Sequence, residues 1–403
     1  MTTLGSINYD EAIHFHNDSD SKTETGILTV SKEDLAKTEF PEWAPTWDIK
    51  HDHAFENIEP FKHIDRGNFA DPTFESLKIN DDVKFKRVTP NLGLEIDGLQ
   101  LSELTDKQKD DLALLVSKHG VIAFRNQDFK HQSFDKIKEW GKYFGPLHIH
   151  PTSGAPLNHP EFHLVYRRGS ENEQKKFFKD KLHNIGWHSD VTYENQPPGL
   201  TLFAMLQNSE SGGDTQFINM FEAYDRLSPF MKEKIDDLKV LHTSKDQAYF
   251  AKLTGGIERK DPSDNIHPLV RYHPVLKRKC LYINKSFSRR ILGLKTEESD
   301  NLLLFLLNHI ESCLDAHVRM TWDSNTVVVW DNRTVIHTPT TDWDSSDIRH
   351  AFRVTTIGER PIGSQEEYDN WTPELEKENI KKTNYYTNLS PAEYYDEVIA
   401  NEN

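Results

Sequence analysis

The sequence predicts a mainly β protein with flanking α-helices, a sandwich or jelly roll, on three observations. Short helical segments come first, between Thr105 and Gly145; many short strands broken by glycine and proline turns follow from Leu200; and two apolar strands, VRMTW and TVVVW, sit late in the chain across the turn DSN.

The elements follow in order. Residues 1–82 are polar, acidic and weakly periodic, apart from the aromatic and proline cluster FPEWAPTWD at Phe40 to Asp48. Such a segment reads as an extended arm whose three large aromatics dock on a surface, its own domain or a second subunit. From Val83 the pattern tightens. NLGLEIDGLQL alternates like a short strand with its turns, and Thr105-x-x-Gln108 opens a helix as a capping box. Leu112, Leu115 and Val116 give that helix an apolar face, Gly120 stops it, and VIAFR is a buried strand. SFDKIKEWGKYFG predicts a second short helix with Ser133 at its start and Gly145 beyond its end. LTLFAML, TQFIN after the turn SGGD, and CLYINKSF read as strands, and one long helix runs from a Thr296 cap through NLLLFLLNHIESCLDAH. After Pro361 the composition turns acidic again, with Tyr385, Tyr386, Tyr394 and Tyr395 as docking points. The expected organisation is an arm at 1–82, a domain at 83–362 and a tail at 363–403.

Composition narrows the function classes. With 48 basic against 65 acidic residues the formal charge is -17, which disfavours nucleic acid and anionic membrane as partners. Two cysteines, Cys280 and Cys313, allow neither a disulfide framework nor a cysteine-rich metal site and fit a reducing compartment. The start MTTLGSINYDEAIHF has no basic and apolar leader pattern, no apolar run reaches membrane-spanning length, and IANEN is no sorting address, so the expectation is a cytoplasmic protein. No glycine-rich phosphate loop is present.

The chemistry concentrates around GWHSDVTYENQPPG. On a strand His188 and Asp190 would share a face and reach one point. The spacing alone is not specific, since His16-x-Asp18 and His63-x-Asp65 repeat it among 20 histidines. A metal needs a third ligand, and His337 in WDNRTVIHTP stands where an apolar strand, a turn and a second segment end at a cavity. Two histidines and a carboxylate form a facial triad suited to iron(II), leaving three adjacent positions for reacting ligands; zinc would have one open position. The plainer alternative has His188 capping a turn and His337 packed in the core. In IRHAFRVTT, Arg349 and Arg353 share a strand face with Ala351, opposite Phe352 and Val354. That face is either solvated or lines a cavity, and in a cavity the two guanidiniums need anions: one an acidic cosubstrate, the other an acidic substrate.

WHSDVTYENQPPG, SGGDT, LYINKSF, VVVWDNRTVIH and RHAFR, in that order, resemble the taurine and alkylsulfonate dioxygenases, a family of iron(II)- and 2-oxoglutarate-dependent oxygenases, from about Val83 to Pro361. The two flanks resemble fungal-type members more than the compact bacterial enzymes. The resemblance implies a double-stranded β-helix (jelly-roll) core, Fe(II), 2-oxoglutarate and O2 as cofactor and cosubstrates, and a homo-oligomer. It implies that His188, Asp190 and His337 are the catalytic iron ligands, and that Arg349 with the Thr215 hydroxyl grips the distal carboxylate of 2-oxoglutarate. Arg353 would receive a sulfonate with His150 and the Val191 amide, while Asn184 touches substrate and Phe287 walls the pocket. The implied reaction hydroxylates the carbon next to sulfur and releases sulfite and an aldehyde, for sulfur scavenging. Ser153 stands where the taurine enzymes carry a tyrosine near the substrate amine, which argues against taurine as the preferred sulfonate. The basic segment Tyr166 to Leu182 is a solvated loop or a lid that draws anions. The alternatives are an oxygenase of sulfate esters or carboxylates, a zinc hydrolase, and a non-enzymatic barrel.

Overall fold

A strand buried on both faces needs a cover on each side, and this chain provides two different covers. The computed structural model describes residues 26–167, 186–253, 256–343 and 347–399. In the arm, β1 (Ile27–Thr29) pairs antiparallel with β2 (Thr46–Asp48). There follow β3 (Lys84–Arg87), β4 (Leu94–Asp97), β5 (Val121–Phe124), β6 (Phe162–Arg167), β7 (Pro198–Gln207) and β8 (Thr215–Asn219). An insertion carries β9 (Lys239–Thr243), β10 (Asp264–Pro268), β11 (Val270–His273), β12 (Arg278–Leu281) and β13 (Ser288–Ile291). The last four are β14 (His317–Met320), β15 (Val327–Asp331), β16 (Val335–Pro339) and β17 (Arg349–Ile357). The protein is thus mostly β with helices.

Two sheets position the site. The larger has the order β3-β4-β5-β15-β7-β17-β6, antiparallel except for β4 and β5, which the helix Asp106–His119 links as a crossover. The smaller has the order β14-β8-β16. Alternation sorts the larger sheet's residues in two. Ala123, Phe203, Val328, Trp330 and Ala351 meet Phe217, Val318 and Val335 of the smaller sheet in one core. Their neighbours Ile122, Phe124, Leu202, Val329, Phe352 and Val354 pack instead under Leu112, Leu115, Ile137 and Trp140 of the two early helices. Every residue of β17 is buried as a result. The insertion between β8 and β14 has its own core, in which Leu303, Leu306 and Ile310 of the helix Thr296–Ser312 cover Ile235, Val240 and Leu281.

The early helices start and stop as read: Thr105 and Gln108 form a capping box, Gly120 closes that helix with φ 73°, and Ser133 caps Phe134–Lys142. The long helix begins one residue earlier than expected. Lys295 is its cap, its amide held by the Glu298 carboxylate at 2.9 Å, and Thr296 is the first helical residue.

The aromatic cluster of the arm is docked. Trp43 stacks on Phe352 at 4.2 Å and 14° and meets Phe134 and Phe162 edge-on, so it completes the outer core. Its carbonyl accepts from His350 Nε2 at 3.0 Å. Beyond Pro361 the chain forms helices at Gln365–Asn370 and Pro373–Thr387. Docking there rests on Glu376, fully buried, which takes Arg360 at 2.5 Å and the Trp371 indole at 2.9 Å, while Tyr385 and Tyr395 stay exposed. Among the described residues no helix is long and apolar enough to cross a membrane.

Two outcomes follow. Trp43→Ala is expected to cost about 3–5 kcal/mol, read as a lowered urea midpoint, because it opens a cavity beneath both Phe352 and Phe162. Burial also pushes His242 down to about 3 and His350 down to about 4. Both stay neutral in the folded chain while the unfolded chain protonates them below about 6.5, so the unfolded state binds more protons in that window. Stability of the metal-free protein therefore falls as pH drops from 6.5 toward 4, by about 1.4 kcal/mol per pH unit for each histidine. Replacing His350 with Gln is expected to flatten that slope in a pH series of urea titrations.

Candidate active site

His188 and His337 form one isolated antiparallel bridge: His188 N donates to His337 O at 3.0 Å and His337 N to His188 O at 2.7 Å. His337 lies on β16, opposite Phe217 of β8, so the bridge sets His188 beside the smaller sheet. The segment after His188 is not a strand. Despite their β propensity, Val191, Thr192 and Tyr193 form a turn, closed by Glu194 N donating to Val191 O at 3.0 Å. Tertiary clamps override the propensity. Asn332 Oδ1 accepts from Asp190 N at 2.8 Å, and Asn332 Nδ2 donates to Asp190 O at 3.1 Å. The Thr192 hydroxyl is held by Asn284 Nδ2 at 3.0 Å and by His242 at 2.9 Å. Between the clamps Val191 sits at φ 41°, a strained setting for a β-branched residue.

The turn carries Asp190 to within 3.7 Å of His188 Nε2 and 3.6 Å of His337 Nε2. One donor atom from each residue lies within 4.8 Å of the others, close enough for a single ion. Burial lowers both imidazoles, His337 to about 3, so they are neutral and carry lone pairs. His188 Nδ1 donates to Gly186 O at 2.9 Å, which leaves its Nε2 free as a ligand. Burial alone would raise Asp190, but the charge and hydrogen bond of Arg353 outweigh it and keep the carboxylate ionised. Its Oδ2 is buried and has no partner among the described residues. Two neutral imidazoles, a carboxylate and an unmet carboxylate oxygen suit a divalent ion such as Fe(II).

Both arginines of β17 lie on the inner side, with Ala351 in the core between the sheets and Phe352 and Val354 beneath the helices. Arg349 is buried. Its Nε donates to Gly213 O at 2.9 Å, and among the described residues it has no carboxylate partner. Burial and the cross-strand Arg167 bring it down to about 10. The SGGD turn is shaped for this contact: a Cβ on Gly213 would press on Arg349 Nε at 3.0 Å, and one on Gly212 would lie 2.4 Å from Asp342 O. Thr215, two residues on, opens β8 opposite Pro339.

Arg353 borders a pocket lined by His148, His150, Glu161, His163, Asp190, Val191 and Thr355. Its Nη1 donates to Asp190 Oδ1 at 2.5 Å and its Nη2 to His163 Nδ1 at 2.5 Å. Because a guanidinium only donates, His163 carries its proton on Nε2 and gives it to Ser153 Oγ at 2.9 Å. Burial, then Arg353, lowers His150 well below its ordinary value. Its Nδ1 accepts the amides of Thr152 and Ser153 at 3.2 and 3.1 Å, so its proton is on Nε2, a donor for an anion. Val191 lines the same pocket, and its amide donates to no group among the described residues. Phe287 packs edge-on to His188 at 6.2 Å and against Tyr193, and it does not line this pocket. Asn184 and residues 168–182 of the basic segment lie outside the described residues.

Sequence reasoning missed His163, His148, Glu194 and Lys260. The alternation of FHLVYR was the available signal for His163: its register on β6 is opposite Arg353, as Arg167 is opposite Arg349. Nothing in the sequence announces Lys260, a buried ammonium 3.2 Å from Glu194, whose carboxylate also takes His148 at 2.9 Å. Burial would raise Glu194, but Lys260 and His148 bring it down to about 2.

Residues 84–355 match the family described as taurine catabolism dioxygenase TauD, TfdA family. The chain belongs to the TauD/TfdA family. Its members are dioxygenases that use Fe(II), 2-oxoglutarate and O2, and the His188, Asp190 and His337 cluster fits that requirement. This dioxygenase is 44% identical over 352 residues to the alpha-ketoglutarate-dependent sulfonate dioxygenase of Saccharomyces cerevisiae, covering 87% of the chain and 85% of the relative. It is 38% identical over 335 residues to the alpha-ketoglutarate-dependent dioxygenase cnsM of Penicillium expansum, covering 82% of the chain and 92% of the relative. The crystal structure of a taurine dioxygenase from Burkholderia xenovorans is similar with a TM-score of 0.57 at 26% identity, over 70% of this chain and 91% of that one.

In the dioxygenase, Asp190→Ala is expected to abolish Fe(II) binding in anaerobic calorimetry while far-UV circular dichroism stays unchanged. Asn332→Ala leaves all three ligands in place but frees the Asp190 backbone, and is expected to weaken Fe(II) binding about 10–100-fold.

Proposed function

We propose that the protein is a sulfonate dioxygenase that hydroxylates the carbon next to sulfur, with sulfite and an aldehyde as products. The observation that carries this reading is the pair of buried arginines on one face of β17, on either side of Ala351 and beside a His-Asp-His cluster. A buried guanidinium without a protein carboxylate is costly, and an anionic ligand relieves that cost. Arg349 has no such partner among the described residues, and Arg353 touches the metal-ligand candidate Asp190 itself.

In this reading His188, Asp190 and His337 hold Fe(II), and the two facing sheets are the halves of a double-stranded β-helix. Fe(II) and 2-oxoglutarate, when bound, supply oxidation of a C–H bond by O2, with succinate and CO2 as coproducts. Arg349 and the Thr215 hydroxyl take the distal carboxylate of 2-oxoglutarate. Arg353, the His150 Nε2–H and the Val191 amide take the sulfonate, and Asn184 and Phe287 complete the substrate side. Because Arg353 also borders Asp190, an anion held there places its α-carbon next to the metal. Hydroxylation of that carbon gives a 1-hydroxysulfonate, which breaks its C–S bond to leave sulfite and an aldehyde. The likeness to the sulfonate dioxygenase of Saccharomyces cerevisiae supports the substrate class, and sulfite as a product would serve sulfur acquisition.

The test is anaerobic loading with Fe(II) and 2-oxoglutarate, then O2 and a panel of sulfonates, sulfate esters and carboxylates, with succinate and sulfite quantified together. Equal amounts of succinate and sulfite are expected with a sulfonate. Succinate without sulfite overturns the sulfonate reading and points to another anion. Arg349→Gln is expected to raise the KM for 2-oxoglutarate about a hundredfold and leave the sulfonate KM nearly unchanged, because it strips a charged partner from one buried anion only.

A further inference from the structure

The arm lies ahead of the family match, yet it grips the loop that carries His150. β2 and the loop are joined by Thr46 N donating to Ala155 O at 2.8 Å, Ala155 N to Thr46 O at 3.1 Å, and Thr46 Oγ1 to Ala155 O at 2.7 Å. Trp47 Nε1 donates to Thr152 O at 3.0 Å. The loop is cut to fit this indole: a Cβ on Gly154 would stand 2.7 Å from the Trp47 ring and 2.8 Å from Pro45. Behind both, Arg259 N donates to Pro151 O at 2.6 Å and its Nη2 to Thr46 O at 3.3 Å.

One residue, Thr152, links the arm to the pocket. The Thr152 carbonyl accepts from Trp47, and the Thr152 amide donates to His150 Nδ1, the bond that sets which nitrogen of His150 keeps the proton. Ser153 repeats the pattern, with its amide on His150 and its hydroxyl on His163, the partner of Arg353. We propose that the arm is a positioning element of the substrate site, in which Trp47 and Thr46 fix the 150–155 loop and thereby the orientation and tautomer of His150. This rests on the reading of His150 and Arg353 as the substrate-anion side. Along this route the arm meets His150 through one residue and reaches Asp190 only through Ser153, His163 and Arg353, so its effect falls first on substrate.

The experiment compares Trp47→Phe, which keeps the packing and loses the N–H, and Thr46→Val, which loses the hydroxyl bond, with the wild-type holoenzyme. The panel anion that most stimulates succinate release serves as substrate. Trp47→Phe is expected to raise the KM for that anion about tenfold, as one lost hydrogen bond of about 1.4 kcal/mol predicts. The 2-oxoglutarate KM for uncoupled succinate release and Fe(II) affinity are expected to stay within about twofold. Amide hydrogen exchange in residues 150–155 is expected to quicken by the same factor of about ten. Unchanged substrate KM in both variants overturns the proposal, as does a parallel rise in the 2-oxoglutarate KM, which marks a general loosening. Absence of sulfite from the wild type would sink the sulfonate reading alone, because the exchange and KM comparison does not depend on which anion is used.

Discussion

The reciprocal backbone bridge between His188 and His337 is the contact on which the site depends, because it brings together two segments 149 residues apart and sets both imidazoles against one carboxylate. A bridge of two hydrogen bonds cannot hold such a join alone. The turn between β15 and β16 supplies the rest. Asn332 clamps Asp190, and the residues on each side of it enter a buried ion network: Arg333 takes Asp331 at 2.7 Å, Asp65 at 2.6 Å and Glu359 at 3.1 Å, while Arg271 takes Glu359 at 2.8 Å and His273 takes Asp331 at 3.1 Å. Each charge in that network has a counter-charge, the condition under which buried ions persist. His63, Asp65 and Glu359 also lie close enough for a metal, but Arg333 and Arg271 already neutralise the two carboxylates.

The contrast between that network and the site is electrostatic. In the network cations and anions are matched within the protein. On the inner face of β17 they are not: among the described residues Arg349 is hydrogen-bonded only to a carbonyl, and Arg353 is paired with Asp190 of the candidate metal cluster. A chain of net charge -17 therefore concentrates buried positive charge on this one face, beside the candidate metal cluster. The neutral histidines around Arg353 add donors without adding charge, which favours hydrogen-bonded recognition of an oxyanion over nonspecific attraction.

Strain and support divide along the same line. Val191 holds an unfavourable φ, and the clamps at Asp190 and Thr192 keep it there. The arm plays the matching part on the opposite wall, with Trp43 in the outer core and Trp47 on the His150 loop. A β-sheet enzyme thus uses a segment outside the family match to finish both its core and its pocket.

Much of this was legible in the residues. The capping box at Thr105, the stop at Gly120 and the period-two alternation of IRHAFRVTT are local, and local patterns survive folding whenever the tertiary structure agrees with them. That alternation put Arg349 and Arg353 on one face of β17 and Phe352 and Val354 on the other, and the two covers then buried both. The strand that would have set His188 and Asp190 on one face did not form, because the clamps from Asn332 and Asn284 come from 92 or more residues away and outweigh the preference of VTY for extended backbone. By itself the sequence determined most of the strands and helices, the shared face of Arg349 and Arg353, and the candidate ligands His188, Asp190 and His337, because periodicity and residue chemistry are written along the chain. Only the tertiary structure decided that His163 meets Arg353, that Lys260 is buried against Glu194, and that the arm closes the wall behind His150, because strand register and loop docking depend on pairings between distant segments that no local pattern specifies.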